Sequence, residues 1–152
     1  MREVFIIGGG PSGMMAAITA AQKGNRVTIF EKNNKLGKKL FITGKGRCNV
    51  TNASDIEEII ENIPGNGNFL YSALYTFTNN NLMDLIEGEG VPLKIERGNR
   101  VFPKSDKSSD IIKAFEGLLK KLKVKLILNT NVDDIIIDSN TIKGIKICIA
   151  IL

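Results

Sequence analysis

Residues 4–7, Val-Phe-Ile-Ile, form a short continuous apolar run, and Gly8, Gly9 and Gly10 follow it at once. Such a run without alternation predicts a strand buried on both faces, as in a parallel sheet. From about residue 12 to residue 23 a helical pattern takes over. Its small residues Ala16, Ala17, Ala20 and Ala21 would let a helix lie close on that sheet. Gly24 supplies a helix stop, and residues 26–30 read as a second strand. Strand, helix, strand is the order of a right-handed crossover.

Further along, residues 55–62 predict a short helix, with Ser54 and Glu57 in capping-box spacing and Pro64-Gly65 ending it. Residues 69–77 and 80–89 predict two more helices. Residues 91–96 and 100–102 flank Arg97-Gly98-Asn99 as a hairpin. Residues 109–122 form an amphipathic helix with Ile112, Phe115, Leu118, Leu119 and Leu122 along one stripe. Three strands close the chain at 124–128, 132–137 and 141–149, with a turn near Ser139-Asn140. The expected organisation is one α/β unit over 1–152, the N-terminal part of a Rossmann-like domain, with a helical insert at about 55–89.

Composition narrows the chemistry. The 152 residues carry 21 Lys+Arg against 16 Asp+Glu, a formal charge of +5, and no histidine. Triads, zinc sites and acid–base steps that need imidazole are therefore excluded. Two cysteines, Cys48 and Cys148, are too few for a disulfide scaffold and fit a reduced, cytoplasmic setting. Cys148 reads as core of the last strand. No segment approaches the roughly 20 apolar residues of a membrane span. The modest charge, with two Tyr and no Trp, argues against a nucleic-acid partner. Asp133, Asp134 and Asp138 read as a solvated strand end, so no metal is expected.

The turn after the first strand carries the strongest signal. Gly8, Gly10 and Gly13 stand in G-x-G-x-x-G spacing between a strand and a helix, and Glu31 ends the second strand with seventeen residues between it and Gly13. In this context each residue has a task. Gly8 allows the tight turn, Gly10 lets the backbone approach a pyrophosphate, and Gly13 brings helix against strand. Pro11 and Ser12 open the helix, whose N-terminal amides and dipole favour phosphate. Glu31 can accept hydrogen bonds from a ribose and disfavours a 2′-phosphate, which points to FAD or NAD rather than NADP.

From Lys32 to Ser54 there is no acidic residue and there are six cations. Lys35, Lys38 and Lys39 read first as a solvated face. Thr43-Gly44-Lys45-Gly46-Arg47-Cys48-Asn49 differs, because two glycines among polar and cationic residues make a backbone that a ligand can approach closely. Cys48 reads as a small buried hydrophobe. The other reading is a thiol near a cofactor, activated by Arg47.

The string G-K-K-L-F-I-T-G-K-G-R-C-N-V-T-N over residues 37–52 resembles the signature of a bacterial flavoprotein family. Its members are BaiN-like or aminoacetone-oxidase-like NAD(P)/FAD-dependent oxidoreductases. The match extends through Gly90-Val91, Glu96, the stretch Gly98-Asn99-Arg100-Val101-Phe102-Pro103-Lys104-Ser105, and Val132. The resemblance implies FAD in a two-dinucleotide-binding-domain architecture. Gly8, Gly10, Pro11, Ser12, Gly13 and Glu31 would serve pyrophosphate and ribose. Lys32, Lys39, Thr43, Gly44, Gly46, Arg47, Cys48 and Asn49 would lie along phosphates, ribitol or flavin. Val132 would meet the adenine through its backbone. The implied activity is hydride transfer through the flavin between NAD(P)H and an organic substrate.

Family members are more than twice this length, so the expectation is an N-terminal portion without its substrate domain, truncated and inactive alone. Residues 141–152 would then be an apolar edge inclined to self-association. Two alternatives stand beside this reading: a non-catalytic nucleotide-binding fragment or a partner-completed subunit, and an NAD-binding dehydrogenase domain.

Overall fold

The computed structural model describes residues 1–149, and the last three residues of the expected edge at 141–152 lie outside the described residues. In chain order the elements are β1 (Glu3–Ile7), α1 (Pro11–Gln22), β2 (Arg26–Phe30), β3 (Thr51–Asn52), α2 (Ile56–Glu61), α3 (Tyr71–Thr76) and α4 (Asn79–Gly88). There follow β4 (Leu93–Glu96), β5 (Arg100–Pro103), α5 (Ser108–Lys121), β6 (Lys125–Ile127), β7 (Thr130–Asp138) and β8 (Thr141–Ile149). The chain divides into two compact units, one of Met1–Leu40 with Phe115–Leu152, the other of Phe41–Ala114. No described helix is long and apolar enough to cross a membrane.

In the first unit, β1, β2 and β6 form a parallel sheet in the order β1-β2-β6. The fold class is the expected α/β Rossmann type. Helix α1 packs on β1 and β2 and buries Met14, Ala17 and Ile18 completely. The strand buried on both faces is the central one, β2, where Val27, Thr28, Ile29 and Phe30 are all inside. Strand β1 alternates instead. Val4 and Ile6 are half-buried, while Phe5 and Ile7 are 41% and 53% exposed. Such alternation marks a strand covered on one face: Ile6 lies under α1, against Gly13, while Phe5 and Ile7 are on the opposite face.

Strands β7 and β8 pair as a long antiparallel hairpin. Its turn is at Ser139 and Asn140, whose φ values of 48° and 59° are those of a tight primed turn. Asp133, Asp134 and Asp138 are exposed, as expected. Cys148 is exposed too, contrary to the expectation of a core position. A two-stranded ribbon leaves much of both faces in solvent, and Ile137 and Ile142, directly paired, are 63% and 69% exposed.

The second unit is built on the antiparallel sheet β3-β5-β4. The turn at Gly98 and Asn99, both at positive φ, closes the expected β4–β5 hairpin. The two-residue strand β3 was not anticipated. Ser54 does not cap α2: Asp55 stands at the N-cap without a side-chain bond. Ser54 is buried, its hydroxyl accepts from Asn99 Nδ2 at 2.9 Å, and its carbonyl accepts from Asn79 Nδ2 at 2.8 Å. The capping box belongs to α4, between Thr78 and Asn81. The helix expected over 69–77 is split into a 3-10 turn at Gly67–Leu70 followed by α3. Gly67 is buried against the Ile60 carbonyl, where a β-carbon would collide.

Candidate dinucleotide site

At the C-terminal end of β1 the backbone turns sharply. Gly8 has φ +100°, a conformation that costs an L residue strain, and its N–H donates to the Phe30 carbonyl at 2.8 Å. Gly13 is pressed on this turn, so that a β-carbon there would strike the Gly8 carbonyl oxygen. Gly10 differs from both. Its φ of −77° and ψ of 177° suit any residue, and a β-carbon would meet no protein atom within 4 Å. Nothing in the fold demands glycine there; the open space in front of the backbone is what the glycine preserves.

Gly10 is also the N-cap of the twelve-residue helix α1, with Pro11 at the first turn and no acidic residue there. The first helical bond recorded at this end runs from Met14 N to Gly10 O at 2.9 Å. The Ser12 and Gly13 amides thus sit in the first turn, where a helix offers donors and positive dipole to an anion. Pro11 and Ser12 are exposed.

Glu31 lies beside this turn, 7% exposed. Its Oε2 accepts from Gly9 N at 2.6 Å, and its Oε1 accepts from Asn33 N at 2.8 Å and Asn33 Nδ2 at 2.5 Å. Burial pushes the carboxyl up, but those three hydrogen bonds and the charge of Lys32 outweigh it and hold Glu31 below the usual glutamate range. An ionised carboxylate has about four lone-pair sites, so one further donor can be accepted. Gly9 is wedged against Leu36, where a β-carbon would collide, and its carbonyl accepts from Gly37 N at 2.9 Å. Thr130 N donates to the Glu31 carbonyl at 3.0 Å, which sets the start of β7, and with it half-buried Val132, at the end of β2. Lys32 and Lys39 are exposed.

The first unit therefore brings together Gly8, Gly10, Pro11, Ser12, Gly13, Glu31 and the approach to Val132. Sequence reasoning missed Gly9, Asn33 and Leu36. The middle glycine of the triplet and an Asn two residues after the acid were the available signals.

Residues 43–49 belong to the second unit. Their backbone is tightly wound: Gly44, Lys45, Gly46 and Cys48 have φ of 56°, 58°, 86° and 63°. Lys45 and Cys48 are not glycines, and left-handed residues of this kind cost about 1–3 kcal/mol each and persist only where the surroundings over-determine them. Cys48 N donates to Thr43 O at 3.1 Å and Arg47 N to Gly44 O at 3.2 Å. A β-carbon on Gly44 would press on Asn49 N and the Phe102 ring. The Cys48 thiol is 1% exposed. Burial pushes it up, only partly offset by a hydrogen bond with Thr43, so the thiol stays neutral at ordinary pH.

Arg47 does not point free. Its Nη1 donates to Glu96 Oε1 at 2.9 Å and Oε2 at 3.2 Å, and lies 3.4 Å from Asp106 Oδ1. Its guanidinium sits 4.2 Å from the centroid of the Phe102 ring. Lys94 Nζ completes the set, 2.7 Å from Asp106 Oδ2 and 3.3 Å from Glu96 Oε1. Burial pushes the Glu96 carboxyl up, but Arg47 and Lys94 outweigh it and hold it below the usual range. Among the described residues no group of three or more His, Cys, Asp or Glu could hold a metal ion.

Residues 2–149 match the family described as HI0933-like protein Rossmann domain. The chain is 34% identical over 136 residues to a 3-dehydro-bile acid delta(4,6)-reductase of Clostridium scindens, covering 88% of this chain and 32% of that protein. It is 27% identical over 133 residues to a ribosomal RNA dihydrouridine synthase of Haemophilus influenzae, with the same two coverages. Among solved structures, the 3-ketosteroid-delta4-(5alpha)-dehydrogenase of Rhodococcus jostii RHA1 aligns at TM-score 0.68 and 14% identity, over 98% of this chain and 42% of that one. Thermovibrio ammonificans THI4 aligns at TM-score 0.61 and 18% identity, over 97% and 46%. The chain thus spans about a third of the length of these curated relatives. It belongs to the HI0933-like Rossmann family.

Proposed function

We propose that this chain is the FAD-binding part of a flavin-dependent oxidoreductase and that it holds the cofactor by its ADP half. The observation that carries this reading is the contrast between the glycines. Gly8 and Gly13 are required by the turn itself, whereas Gly10 guards an open space at the head of α1 that the fold does not need. A pyrophosphate fits that space chemically, since backbone amides and a helix N-terminus face it. Gly8, Gly10, Pro11, Ser12 and Gly13 would receive the pyrophosphate. Glu31, with room for one more donor, would take a ribose hydroxyl, and Val132 would lie along the adenine.

Lys32, Lys39 and the loop at residues 43–49 are assigned to the rest of the cofactor, on the family likeness alone. When bound, FAD would supply hydride chemistry between NAD(P)H and an organic substrate, an activity class supported by the relatives named reductase and dehydrogenase. The chain's own residues bind and orient. Calorimetric titration of the chain with ADP and with FAD tests the reading. Saturable 1:1 binding of both is expected, and an absence of binding by either removes it.

A further inference from the structure

We infer that a cleft in the second unit, between α2 and the β4–β5 turn, receives a guanidinium carried on an aliphatic stem. Every residue used belongs to that unit, so the inference does not rest on the proposed function.

The cleft encloses about 360 Å3, at the small end of ligand-binding cavities. One wall is α2 with its C-cap: Glu58, Ile59 and Asn62, of which Glu58 and Asn62 stand one turn apart on the same face. The turn at Gly98 and Asn99 is the other wall, and Asn52 and Ser54 complete the lining. The strand end beneath is held firmly. Asn79 Nδ2 donates to Asn52 O at 2.7 Å and to Ser54 O at 2.8 Å, and Ala53 N donates to Asn99 O at 2.7 Å.

The hydrogen bonds around the cleft are unevenly spent. Each of the three amide nitrogens already donates to the protein: Asn52 Nδ2 to Gly98 O at 3.0 Å, Asn62 Nδ2 to Glu58 O at 2.8 Å, and Asn99 Nδ2 to Ser54 Oγ at 2.9 Å. Among the described residues no donor reaches Asn62 Oδ1, Asn99 Oδ1 or the Glu58 carboxylate, and Glu58 makes no ion pair. Ser54 is nine-tenths buried, and its hydroxyl accepts from Asn99 while its own proton has no acceptor among the described residues. The lining is therefore rich in acceptors that the fold leaves unfilled.

Charge points the same way. Between Arg47 and Lys94 the chain carries seven Asp and Glu and no Lys or Arg, although its formal charge is +5. Arg97 and Arg100 flank the turn, yet neither pairs with Glu58. Arg100 Nε donates to Arg97 O at 3.0 Å, and its guanidinium lies 5.9 Å from the centroid of the Phe102 ring.

A carboxylate beside two amide oxygens calls for positive charge and several N–H donors at once. A guanidinium carries five donors in one plane, two for the carboxylate and others for the amides, whereas an ammonium has three and a polyol brings no charge. Ile59 gives the methylene stem an apolar surface to lie on.

The test titrates the full chain with N-acetyl-arginine amide and with N-acetyl-citrulline amide, its neutral isostere, followed by NMR of the Asn side-chain amides. Saturable one-to-one shifts at Asn52, Asn62 and Asn99 are expected. The arginine probe should bind about fivefold tighter than the citrulline probe, the size of one solvent-accessible charge pair. Glu58→Gln should abolish that preference without lowering the melting temperature, because the side chain is exposed. Glu61→Gln removes the same charge from α2 outside the cleft and should leave the preference intact. Agmatine and acetyl-Ala-Arg-Ala-amide separate the sources. Both should be weakened by Glu58→Gln, and the tighter of the two tells whether a free amine or a polypeptide supplies the group.

Arginine and citrulline probes that bind alike would overturn the site. So would Glu61→Gln acting as strongly as Glu58→Gln, which would leave only a diffuse acidic field. Unshifted amides at millimolar probe would overturn it as well, whatever the chain does with FAD.

Discussion

Replacing Gly10 by valine and Gly13 by alanine separates what the glycine turn does for the fold from what it does for a ligand. At Gly10 the backbone is extended and the β-carbon direction is empty to 4 Å, so valine introduces no collision. Losing glycine at an N-cap for a β-branched residue costs roughly 1 kcal/mol at most. For a chain of this size that is a melting shift of about 2–4 °C. The valine methyls would occupy the space assigned to pyrophosphate, so affinity for ADP should fall at least tenfold, or about 1.4 kcal/mol. Gly13→Ala inverts the pattern. Its β-carbon would land on the Gly8 carbonyl, a main-chain atom that cannot swing aside. Overpacking of this kind costs about 1–3 kcal/mol, which lowers the melting temperature by roughly 2–12 °C. Differential scanning fluorimetry and calorimetric titration on the same preparations supply both numbers. Unchanged ADP affinity in Gly10→Val, or an unchanged melting temperature in Gly13→Ala, would refute the division of roles.

Three further outcomes follow from the same geometry. Glu31→Gln puts an amide NH2 where the carboxylate takes three donors, and should cost about 1–3 kcal/mol by urea denaturation at pH 7. Because folding lowers the Glu31 pKa, its stabilisation is complete above the ordinary glutamate value and is lost as pH falls through the lower folded value. Wild type should therefore lose stability below about pH 4.5 more steeply than Glu31→Gln, and parallel pH curves would contradict this. In alkylation at pH 7.5, exposed Cys148 should react quickly and buried Cys48 only after denaturation; two adducts forming at one rate in the native protein would show that Cys48 is accessible. Ile142→Lys, at a site 69% exposed, should change stability by under about 0.5 kcal/mol and should weaken any concentration-dependent association seen in sedimentation velocity, since it charges an apolar ribbon. Association identical to wild type would exclude the β7–β8 hairpin as its source.

The parts of this fold that could be read from sequence are those set by local backbone chemistry. The strand–glycine–helix turn, the stop at Gly24 and the turn at Ser139-Asn140 each depend on a few adjacent residues with restricted conformations. Parts decided by distant partners were not readable. Ser54 has the spacing of a cap, but its hydroxyl goes to Asn99, 45 residues away. Arg47 looks like a free phosphate fork until Glu96, 49 residues on, takes it. The helix expected over 69–77 begins only at Tyr71, after a 3-10 turn whose first residue, Gly67, is seated on the Ile60 carbonyl, a contact that periodicity does not record. Burial was misjudged for β1 and Cys148 for one reason: apolar sequence does not say whether a neighbouring strand or layer is present.

Displacement of FAD from the wild-type chain, followed by flavin fluorescence, tests the central claim most directly, because it asks which end of the cofactor the protein holds. The account predicts that FAD binds saturably at one site and that ADP displaces it fully. It also predicts that adenosine 2′,5′-bisphosphate competes at least tenfold more weakly than 5′-AMP, from which it differs only by the 2′-phosphate, because Glu31 stands where the ribose would sit and repels that phosphate. Riboflavin displacing FAD as well as ADP does, or the 2′,5′-bisphosphate competing on equal terms with 5′-AMP, would contradict it.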